Sequence, residues 1–430
     1  MQVLRIDGGR PVCGEVQVPG SKNAALAILS TVVLGQEPIV LHNVPDVTDV
    51  QIKIRLLRQL GAQVESREGS LFIDCSHLDS HVADAETVRP IRTGFYVLGP
   101  MLARVGKADI PVPGGCKIGA RPVDYHLKGL AALGAKIELQ NGRYQATAPR
   151  LEGCEIYLDQ PSAGATQHLM STAVLAHGIT TIHNAAMEPE VVALADFLVR
   201  LGARIEGTGT STITVTGVER LGGCEFRVPE DRLQAGTYLL AGAVTGGDVT
   251  VSGVLPEPQT ALVNKLRETG LTVEEGVDRI RVVGDCRPTG ISIKTMPYPG
   301  FPTDMQQPLS ALLALASGSS SIEETLYESR IGHVQELNRM GADMRVSGRL
   351  TLINGVERLT GATVEATDLR AGAALVLAGL AAQGQTIIKN VHFIDRGYER
   401  FEQTLMSLGA VVERIGEHES ERMGLGQRFN

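Results

Sequence analysis

Six copies of one short motif recur along the chain, each at the end of a predicted helix. They read Leu60-Gly61-Ala62, Leu133-Gly134-Ala135, Leu201-Gly202-Ala203, Thr269-Gly270-Leu271, Met340-Gly341-Ala342 and Leu408-Gly409-Ala410. Successive glycines are 73, 68, 68, 71 and 68 residues apart. A spacing of this kind indicates a repeated supersecondary unit, and glycine is the residue expected where a helix ends in a left-handed conformation. The pattern therefore predicts six copies of one structural repeat.

Each repeat carries the same order of apolar patterns. A short strand leads to a helix of small residues, an apolar strand, a second helix, the glycine turn and two closing strands. In the first repeat these are 14–19, 24–34, 39–43, 47–60, 63–66 and 71–74. The first helices are apolar on nearly every side, which predicts burial, and the second helices keep a charged outer face. We expect an α/β fold in which sheets pack around inner helices.

Three such repeats make a domain of ordinary size. The sequence favours a domain break near Val228–Arg232, after the third repeat. Residues 418–430 lose the repeating pattern, which predicts a mobile tail.

Composition excludes several classes of protein. With 43% hydrophobic residues and a net charge of −8, the chain is typical of a soluble globular protein, without the basic excess of a nucleic-acid-binding surface. No apolar run approaches the ~20 residues of a membrane helix, and Met1-Gln2-Val3-Leu4-Arg5 leads directly into a strand pattern, without a signal segment. We expect a cytoplasmic protein with neither a nucleic-acid nor a membrane partner.

The six cysteines include no C-x-x-C pair, so no disulfide and no zinc site are expected. Four of them lie in or beside strand patterns and are predicted to be buried apolar residues. Cys116 differs, because it lies in a loop.

Charged residues cluster where strands lead into first helices. Lys22, Arg92 and Arg370 lie at such junctions, and Asp304 lies at another. Free N–H groups at a helix start favour phosphates and carboxylates, and a nearby cation adds to this preference. The alternatives are that the cations lie on the surface and that Asp304 is a helix cap.

The segment 111–126 departs from the repeat plan. It contains three glycines, three prolines and Cys116, which predicts a flexible loop over a site. Lys117, Arg121 and His126 are the kind of cationic neighbours that lower the pKa of a thiol. The alternative is an incidental loop cysteine.

Five stretches of the chain together match one known family pattern. They are Ser21-Lys22-Asn23, Gly114-Gly115-Cys116 with Arg121-Pro122-Val123-Asp124, Phe301-Pro302-Thr303-Asp304-Met305, Thr367-Asp368-Leu369-Arg370 and Asp395-Arg396-Gly397-Tyr398-Glu399. Over residues 1–415 the chain closely resembles the UDP-N-acetylglucosamine enolpyruvyl transferases of bacterial peptidoglycan synthesis. The resemblance implies an inside-out α/β barrel of two domains, each of three βαβαββ repeats, with substrates in the cleft between them. The N-terminal strand of that family completes the second domain, so residues 20–229 would form one domain and 1–19 with 230–417 the other.

The resemblance also implies a reaction and roles for particular residues. An enolpyruvyl group passes from phosphoenolpyruvate to the 3′-hydroxyl of UDP-N-acetylglucosamine by addition and elimination, without a metal or cofactor. Cys116 would donate a proton, Asp304 would be the base for the sugar hydroxyl, and Lys22 would assist catalysis. The residues implied to bind phosphoenolpyruvate are Lys22, Asn23, Arg121, Arg370 and Arg396. Those implied to bind the nucleotide sugar are Asn23, Arg92, Arg121, Pro122, Val123, Asp124, Tyr125, Ser162, Ala163, Gly164, Asp304 and Leu326.

Other positions are expected to be structural or depart from the family pattern. Glu188, Asp231 and Arg232 are expected to be helix-end residues. Gln160, Ala163 and Met187 stand where relatives commonly carry lysine, valine and arginine, which leaves the nucleotide contacts open. With a cysteine at position 116, the resemblance implies alkylation by fosfomycin.

Three other functions compete with this interpretation. A shikimate-phosphate transferase of the same architecture lacks the cysteine loop and has an Asn-Ala-Gly-Thr signature that is missing here. An inactive regulatory paralogue would be expected to have lost one of the charged residues or the cysteine. An anion-binding repeat scaffold does not explain the loop that carries Cys116.

Overall fold

The computed structural model describes residues 2–115, 118–119 and 122–417. Its strands are β1 (Gln2–Asp7), β2 (Cys13–Gln17), β3 (Ile39–His42), β4 (Gln63–Arg67), β5 (Ser70–Asp74), β6 (Lys107–Pro111), β7 (Lys136–Gln140), β8 (Arg143–Thr147), β9 (Glu155–Tyr157), β10 (Ile179–His183), β11 (Arg204–Glu206), β12 (Thr212–Thr216), β13 (Glu225–Arg227), β14 (Asp248–Ser252), β15 (Thr272–Glu275), β16 (Arg279–Val283), β17 (Ser292–Lys294), β18 (Ser319–Glu323), β19 (Asp343–Ser347), β20 (Leu350–Asn354), β21 (Thr363–Glu365), β22 (Gln385–Lys389) and β23 (Val411–Gly416).

The helices alternate with these strands. They are α1 (Lys22–Thr31), α2 (Thr48–Gln59), α3 (Ala85–Val88), α4 (Leu98–Val105), α5 (Asp124–Ala132), α6 (Ala163–Ala173), α7 (Pro189–Arg200), α8 (Arg232–Thr245), α9 (Thr260–Glu268), α10 (Thr303–Leu313), α11 (His333–Arg339), α12 (Leu369–Ala381) and α13 (Phe401–Ser407). A 3₁₀ helix, Arg92–Val97, directly precedes α4. The prediction of an α/β fold is confirmed.

The described residues divide into two compact units. Unit 1 holds residues 2–18, 118–119 and 231–417, and unit 2 holds 19–115 and 122–230. Each unit contains three open sheets and its own apolar core.

Unit 1 is built around three buried helices, α8, α10 and α12, which contact one another. Every residue of α12 from Leu369 to Leu380 is buried, because that helix presents small and apolar side chains in every direction. Its sheets have the strand orders β2-β14-β16-β15, β17-β18-β20-β19 and β21-β22-β1-β23. Helices inside and sheets outside therefore give this unit an inside-out arrangement.

Unit 2 follows the same plan with one simplification. Its inner elements are α1, α4 and α6 with the 3₁₀ helix, and two of its sheets have the orders β9-β10-β12-β11 and β13-β3-β5-β4. The third sheet has only β6, β8 and β7. An isolated bridge from Val82 to Asp109 stands where the common plan predicts the first strand of the second repeat.

The expected first strand of the first repeat belongs to a different sheet. The strand predicted within 14–19 is β2, and it pairs in parallel with β14 of the fourth repeat, for example Val16 with Val251. In unit 2 the place beside β3 is taken by β13, where Phe226 pairs with Leu41. Similarly, β1 lies between β22 and β23 in the sixth repeat. Segments distant in the chain thus complete these sheets, and β2 lies in the unit that also holds residues 231–417.

The six glycine turns adopt the conformation that their spacing predicts. Gly61, Gly134, Gly202, Gly270, Gly341 and Gly409 all have φ between 92° and 109°. A side chain is strained in that region, which is why glycine occupies each position. These turns end α2, α5, α7, α9, α11 and α13, and their prediction is confirmed.

The cysteines are less buried than predicted. Of the five in the described residues, Cys75 is buried, Cys154 and Cys224 are partly buried, and Cys13 and Cys286 are exposed. The strands are short, so residues at or beyond their ends reach the surface. Within the described part of the chain, no helix is long and apolar enough to cross a lipid bilayer.

Candidate active site

In unit 2 the side chain of Lys22 is held where α1 begins. The hydroxyl of Ser21 caps this helix by accepting a hydrogen bond from the Ala24 amide at 3.3 Å. Lys22 Nζ lies 2.9 Å from a carboxylate oxygen of Asp49 on α2, and both side chains are largely buried. The Lys22 cation and the N-terminus of α1 therefore lie at one place, which suits an anionic ligand. Asn23 follows in the first turn of the same helix.

Arg92 begins the 3₁₀ helix, and the residue after it is anchored from α2. The ammonium of Lys53, which is fully buried, donates to the Thr93 carbonyl at 2.5 Å and to Ser30 Oγ at 2.8 Å. Burial lowers the pKa of Lys53 to about 7. The start of the 3₁₀ helix is thus tied to both α1 and α2.

Two buried histidines lie close to Arg92. His168 Nε2 accepts from the Gly99 amide at 2.8 Å, so its neutral ring carries the proton on Nδ1, which lies 2.9 Å from Nδ1 of His126. Burial, with Lys53 nearby, lowers the pKa of His168 to about 3. Burial, His168 and then Arg92 hold the pKa of His126 well below its usual range. Both rings are therefore neutral at physiological pH. We call Lys53, His126 and His168 the Lys53 cluster.

The start of α6 packs closely against an aromatic ring. Ser162 caps this helix by accepting from the Ala165 amide at 3.3 Å, and Ala163 opens it. At Gly164 a Cβ atom would lie 2.0 Å from the hydroxyl oxygen of Tyr96, so only glycine fits there. Gln160, just before this turn, is exposed.

The segment before α5 is described from Pro122 onward. Val123 is the residue before the helix, Asp124 opens it, and Tyr125 is partly buried. Burial, then Asp159 and Asp124, raise the pKa of Tyr125, which keeps its hydroxyl protonated. Cys116 and Arg121, the other predicted residues of this loop, lie outside the described residues.

In unit 1 the site is built on Asp304, in the first turn of α10. One carboxylate oxygen lies 2.7 Å from Arg330 Nη1 and the other 3.1 Å from Arg370 Nε. Burial by itself would raise the pKa of Asp304, but Arg330 and then Arg370 outweigh it and hold that pKa far below its usual range. Asp304 does not cap α10, because the residue before that helix is Pro302. The alternative interpretation of Asp304 as a cap is therefore wrong.

Arg370 is held by α12 and by a neighbouring tyrosine. Asp368 caps α12 by accepting from the amides of Arg370 and Ala371. Arg370 Nη1 also donates to the hydroxyl of Tyr398 at 2.9 Å, which lies 2.8 Å from Thr237 Oγ1 on α8. The three inner helices of unit 1 thus meet around this guanidinium.

Arg330 is a site residue that the sequence reasoning missed. Its side chain is 5% exposed, and Nη1 contacts both Thr303 Oγ1 at 2.9 Å and Asp304. It lies in the loop between β18 and α11, which also carries Leu326, whose amide donates to Glu324 at 2.8 Å. Leu326, a predicted binding residue in the same loop, was the sequence signal that could have pointed to Arg330. We call Asp304, Arg330 and Arg370 the Asp304 cluster.

The remaining predicted residues lie at the ends of helices. Arg396 ends the 3₁₀ helix Val391–Arg396 and is partly buried. Asp231 caps α8 by accepting from two backbone amides, Arg232 opens α8, and Glu188 precedes α7. Unit 1 therefore brings Asp304 and Arg370 together, whereas unit 2 holds Lys22, Asn23, Arg92, the described residues 122–125, and Ser162–Gly164.

Comparisons with known proteins place this geometry in a family. The family model for EPSP synthase (3-phosphoshikimate 1-carboxyvinyltransferase) matches residues 6–405. A UDP-N-acetylglucosamine 1-carboxyvinyltransferase of Carboxydothermus hydrogenoformans is 49% identical over 421 residues, covering 97% of this chain and all of that protein. Another, from Caldanaerobacter subterraneus subsp. tengcongensis, is 46% identical over 417 residues with the same coverage.

Solved structures share the fold. The enolpyruvyl transferase NikO from Streptomyces tendae matches with a TM-score of 0.88 at 25% identity, over 96% of this chain and 98% of that one. An EPSP synthase from Acinetobacter baumannii matches with a TM-score of 0.76 at 20% identity, over 97% and 100% of the two chains.

The fold and the matched family model define a carboxyvinyl (enolpyruvyl) transferase. Within that class, the identity and coverage of its relatives show that the chain belongs to the UDP-N-acetylglucosamine 1-carboxyvinyltransferase family.

Proposed function

We propose that this protein is an enzyme that transfers the enolpyruvyl group of phosphoenolpyruvate to the 3′-hydroxyl of UDP-N-acetylglucosamine and releases phosphate. Two relatives at 46% and 49% identity over nearly the whole chain carry the name of this activity. The structural observation that carries the proposal is the partly buried carboxylate of Asp304, held by two largely buried arginines. The product would enter peptidoglycan synthesis in the cytoplasm.

The reaction proceeds by addition and then elimination. A proton adds to the methylene carbon of phosphoenolpyruvate while the sugar oxygen bonds to the neighbouring carbon and loses its own proton. The bond from that carbon to the phosphate oxygen then breaks, and a proton leaves the new methyl group. The protein must therefore supply an acid, a base and cationic groups for the phosphate and carboxylate.

Asp304 is the proposed base for the sugar hydroxyl. Its arginine partners keep it ionised, so that it can accept a proton at any working pH. The same arginines make it a weak base, because they stabilise the charged form. An anionic substrate that binds Arg330 or Arg370 would compete for these guanidiniums and raise the pKa of Asp304. Substrate binding would thus activate the base.

Phosphoenolpyruvate carries a phosphate and a carboxylate on three carbons, so several cations must converge on it. We assign this role to Lys22, Arg121, Arg370 and Arg396, with Asn23 beside them, and add Arg330 because of its contact with Asp304. Cys116 is the proposed proton donor. The roles of Cys116 and Arg121 rest on the resemblance alone, since both lie outside the described residues.

The nucleotide sugar is assigned mainly to unit 2. The amides at the capped start of α6, the guanidinium of Arg92 and the polar residues that open α5 suit a pyrophosphate and a uridine. The proposed contacts are Asn23, Arg92, Arg121, Pro122, Val123, Asp124, Tyr125, Ser162, Ala163 and Gly164, together with Asp304 and Leu326 of unit 1.

Phosphate release tests the proposal. The protein is mixed with phosphoenolpyruvate and either UDP-N-acetylglucosamine or shikimate 3-phosphate, because the matching family model is named after transfer to the second acceptor. We expect release with the nucleotide sugar only. Release with shikimate 3-phosphate only would establish the alternative activity, and release with neither would favour an inactive paralogue.

A further inference from the structure

The fully buried ammonium of Lys53 has no role in the proposed reaction. It lies on α2 in the interior of unit 2, and its side chain is completely inaccessible to solvent. Burying an ammonium group is costly unless its hydrogens are bonded. It donates to two neutral oxygens, the Thr93 carbonyl and Ser30 Oγ. The hydroxyl of Ser30 itself donates to the Leu26 carbonyl at 2.7 Å, so it offers its lone pairs to Lys53.

The contact with Thr93 acts directly on a proposed binding residue. Thr93 follows Arg92 in the chain, and the two open the 3₁₀ helix Arg92–Val97. The residue before that helix, Ile91, provides no side-chain cap. A hydrogen bond of 2.5 Å from the buried amine of Lys53 therefore fixes the backbone one residue beyond Arg92.

The same face of α2 contacts a second proposed binding residue. Asp49 precedes Lys53 by four residues, which places both on one side of the helix, and both are buried. Asp49 contacts Lys22, whereas Lys53 contacts the segment of Arg92. One helix thus supports two cations that the proposed function assigns to different substrates.

We propose that Lys53 is a positioning residue that sets the affinity for the nucleotide sugar by holding the backbone at Thr93 and, through it, the guanidinium of Arg92. The proposal rests on the proposed function and adds a residue that the family resemblance does not assign. It predicts an effect on one substrate only, since Lys22 is held by Asp49 and not by Lys53.

The test is steady-state kinetics of the Lys53→Met variant, which keeps the length of the side chain and removes its donors. We expect KM for UDP-N-acetylglucosamine to rise roughly tenfold, because a small displacement of a binding group lowers affinity strongly. The KM for phosphoenolpyruvate and kcat should each stay within about twofold. Ile54→Val, a buried apolar change on the same helix, serves as the matched control and should leave both KM values unchanged.

A double-mutant cycle separates positioning from a general structural effect. If Lys53 acts through Arg92, adding Lys53→Met to Arg92→Ala should raise KM for the nucleotide sugar far less than in the wild type. Equal increases in both KM values, an unchanged KM for the nucleotide sugar, or additive effects with Arg92→Ala would each overturn the proposal.

Two further controls keep the outcome unambiguous. If Lys53→Met does not fold, Lys53→Gln replaces it with the same readouts, and failure of both to fold would overturn the proposal in favour of a structural role. Wild-type protein that releases no phosphate with UDP-N-acetylglucosamine would refute the proposed function. An active wild type with an unaffected Lys53→Met variant would refute only the role of Lys53.

Discussion

The two units hold buried polar groups at the centres of similar scaffolds in different ways. In unit 1, the carboxylate of Asp304 bonds to the guanidiniums of Arg330 and Arg370, so opposite charges are in direct contact. In unit 2, Lys53 donates to neutral oxygens, and the two histidines near it are kept neutral by burial. The same arrangement of inner helices and outer sheets therefore accommodates both a compensated ion cluster and a buried lysine bonded to neutral oxygens.

This difference has a consequence for ligand binding. An anion that binds at the Asp304 cluster must compete with a carboxylate already present, which links binding to the pKa of Asp304. An anion that binds near Arg92 meets a group whose backbone neighbour, Thr93, is held by Lys53. The Asp304 cluster is thus suited to a charge change during the reaction.

The largest expected effect is on turnover after Asp304→Asn. The amide keeps the shape of the side chain but is not a base, so kcat should fall by about 10³-fold, within the usual range for a general base. Phosphate release with both substrates measures it. Asp343→Asn, at a partly exposed aspartate on β19, is the matched control. A variant that keeps more than about a tenth of the wild-type kcat would contradict the role of Asp304.

The next largest expected effect is a difference between the two clusters in how a substitution changes the free energy of unfolding. Arg330→Met leaves part of the Asp304 charge uncompensated in a partly buried site, so the free energy of unfolding should fall by about 3 kcal/mol. Lys53→Met removes a buried amine that donates to neutral oxygens, so its effect should stay below about 1 kcal/mol in either direction. Urea denaturation of both variants measures the difference. If both variants lost the same free energy of unfolding, the proposed difference between the Asp304 cluster and Lys53 would be contradicted.

A pH dependence of stability is expected from His168. Its pKa is about 3 in the folded protein and about 6.5 unfolded, so acid protonates mainly the unfolded state. The stability that this residue contributes is present above pH ~6.5 and is lost as the pH falls toward 3, by about 2 kcal/mol at pH 5. Urea denaturation at pH 7.5 and pH 5 should therefore show a smaller pH difference for His168→Asn than for the wild type. Identical pH differences would contradict the assignment.

The smallest expected effect comes from Tyr398→Phe in unit 1. The variant removes one partner of Arg370 and of Thr237 but leaves the ion pair with Asp304 intact. Stability should fall by about 1 kcal/mol, and KM for phosphoenolpyruvate should rise a few-fold. Thermal unfolding and phosphate release measure both, with the exposed Tyr157→Phe as control. A loss as large as that of Arg330→Met would show that the hydroxyl, and not the ion pair, organises the cluster.

Local features of the fold could be predicted from the sequence, because they depend on neighbouring residues. The turn at Gly61 could be predicted because a positive φ favours glycine. The burial of α12 could be predicted because its residues are small and apolar on every side. The exchange of β2 and β13 between sheets could not be predicted from the pattern, since strands of different repeats look alike and pairing is decided in three dimensions.

The site residues, too, could be predicted only where they belong to a local sequence pattern. Lys22 and Arg370 could be found because each opens a helix within a recognisable motif. Arg330 does not open a helix and belongs to none of these motifs. Its role becomes visible only in the structure, where the loop after β18 brings it to Asp304. The buried Lys53 likewise looks like a surface residue in the sequence, because helix periodicity does not show that α1 and the 3₁₀ helix cover its face of α2.

The central claim is that the enzyme adds the elements of an alcohol across phosphoenolpyruvate and then eliminates phosphate. Running the reaction with UDP-N-acetylglucosamine in heavy water tests it directly, because the transient methyl group gains a solvent deuteron before it loses a proton or a deuteron. We expect mass spectrometry to show the enolpyruvyl ether of the nucleotide sugar with deuterium on its methylene carbon. An ether without deuterium, or phosphate release without the ether, would contradict the account.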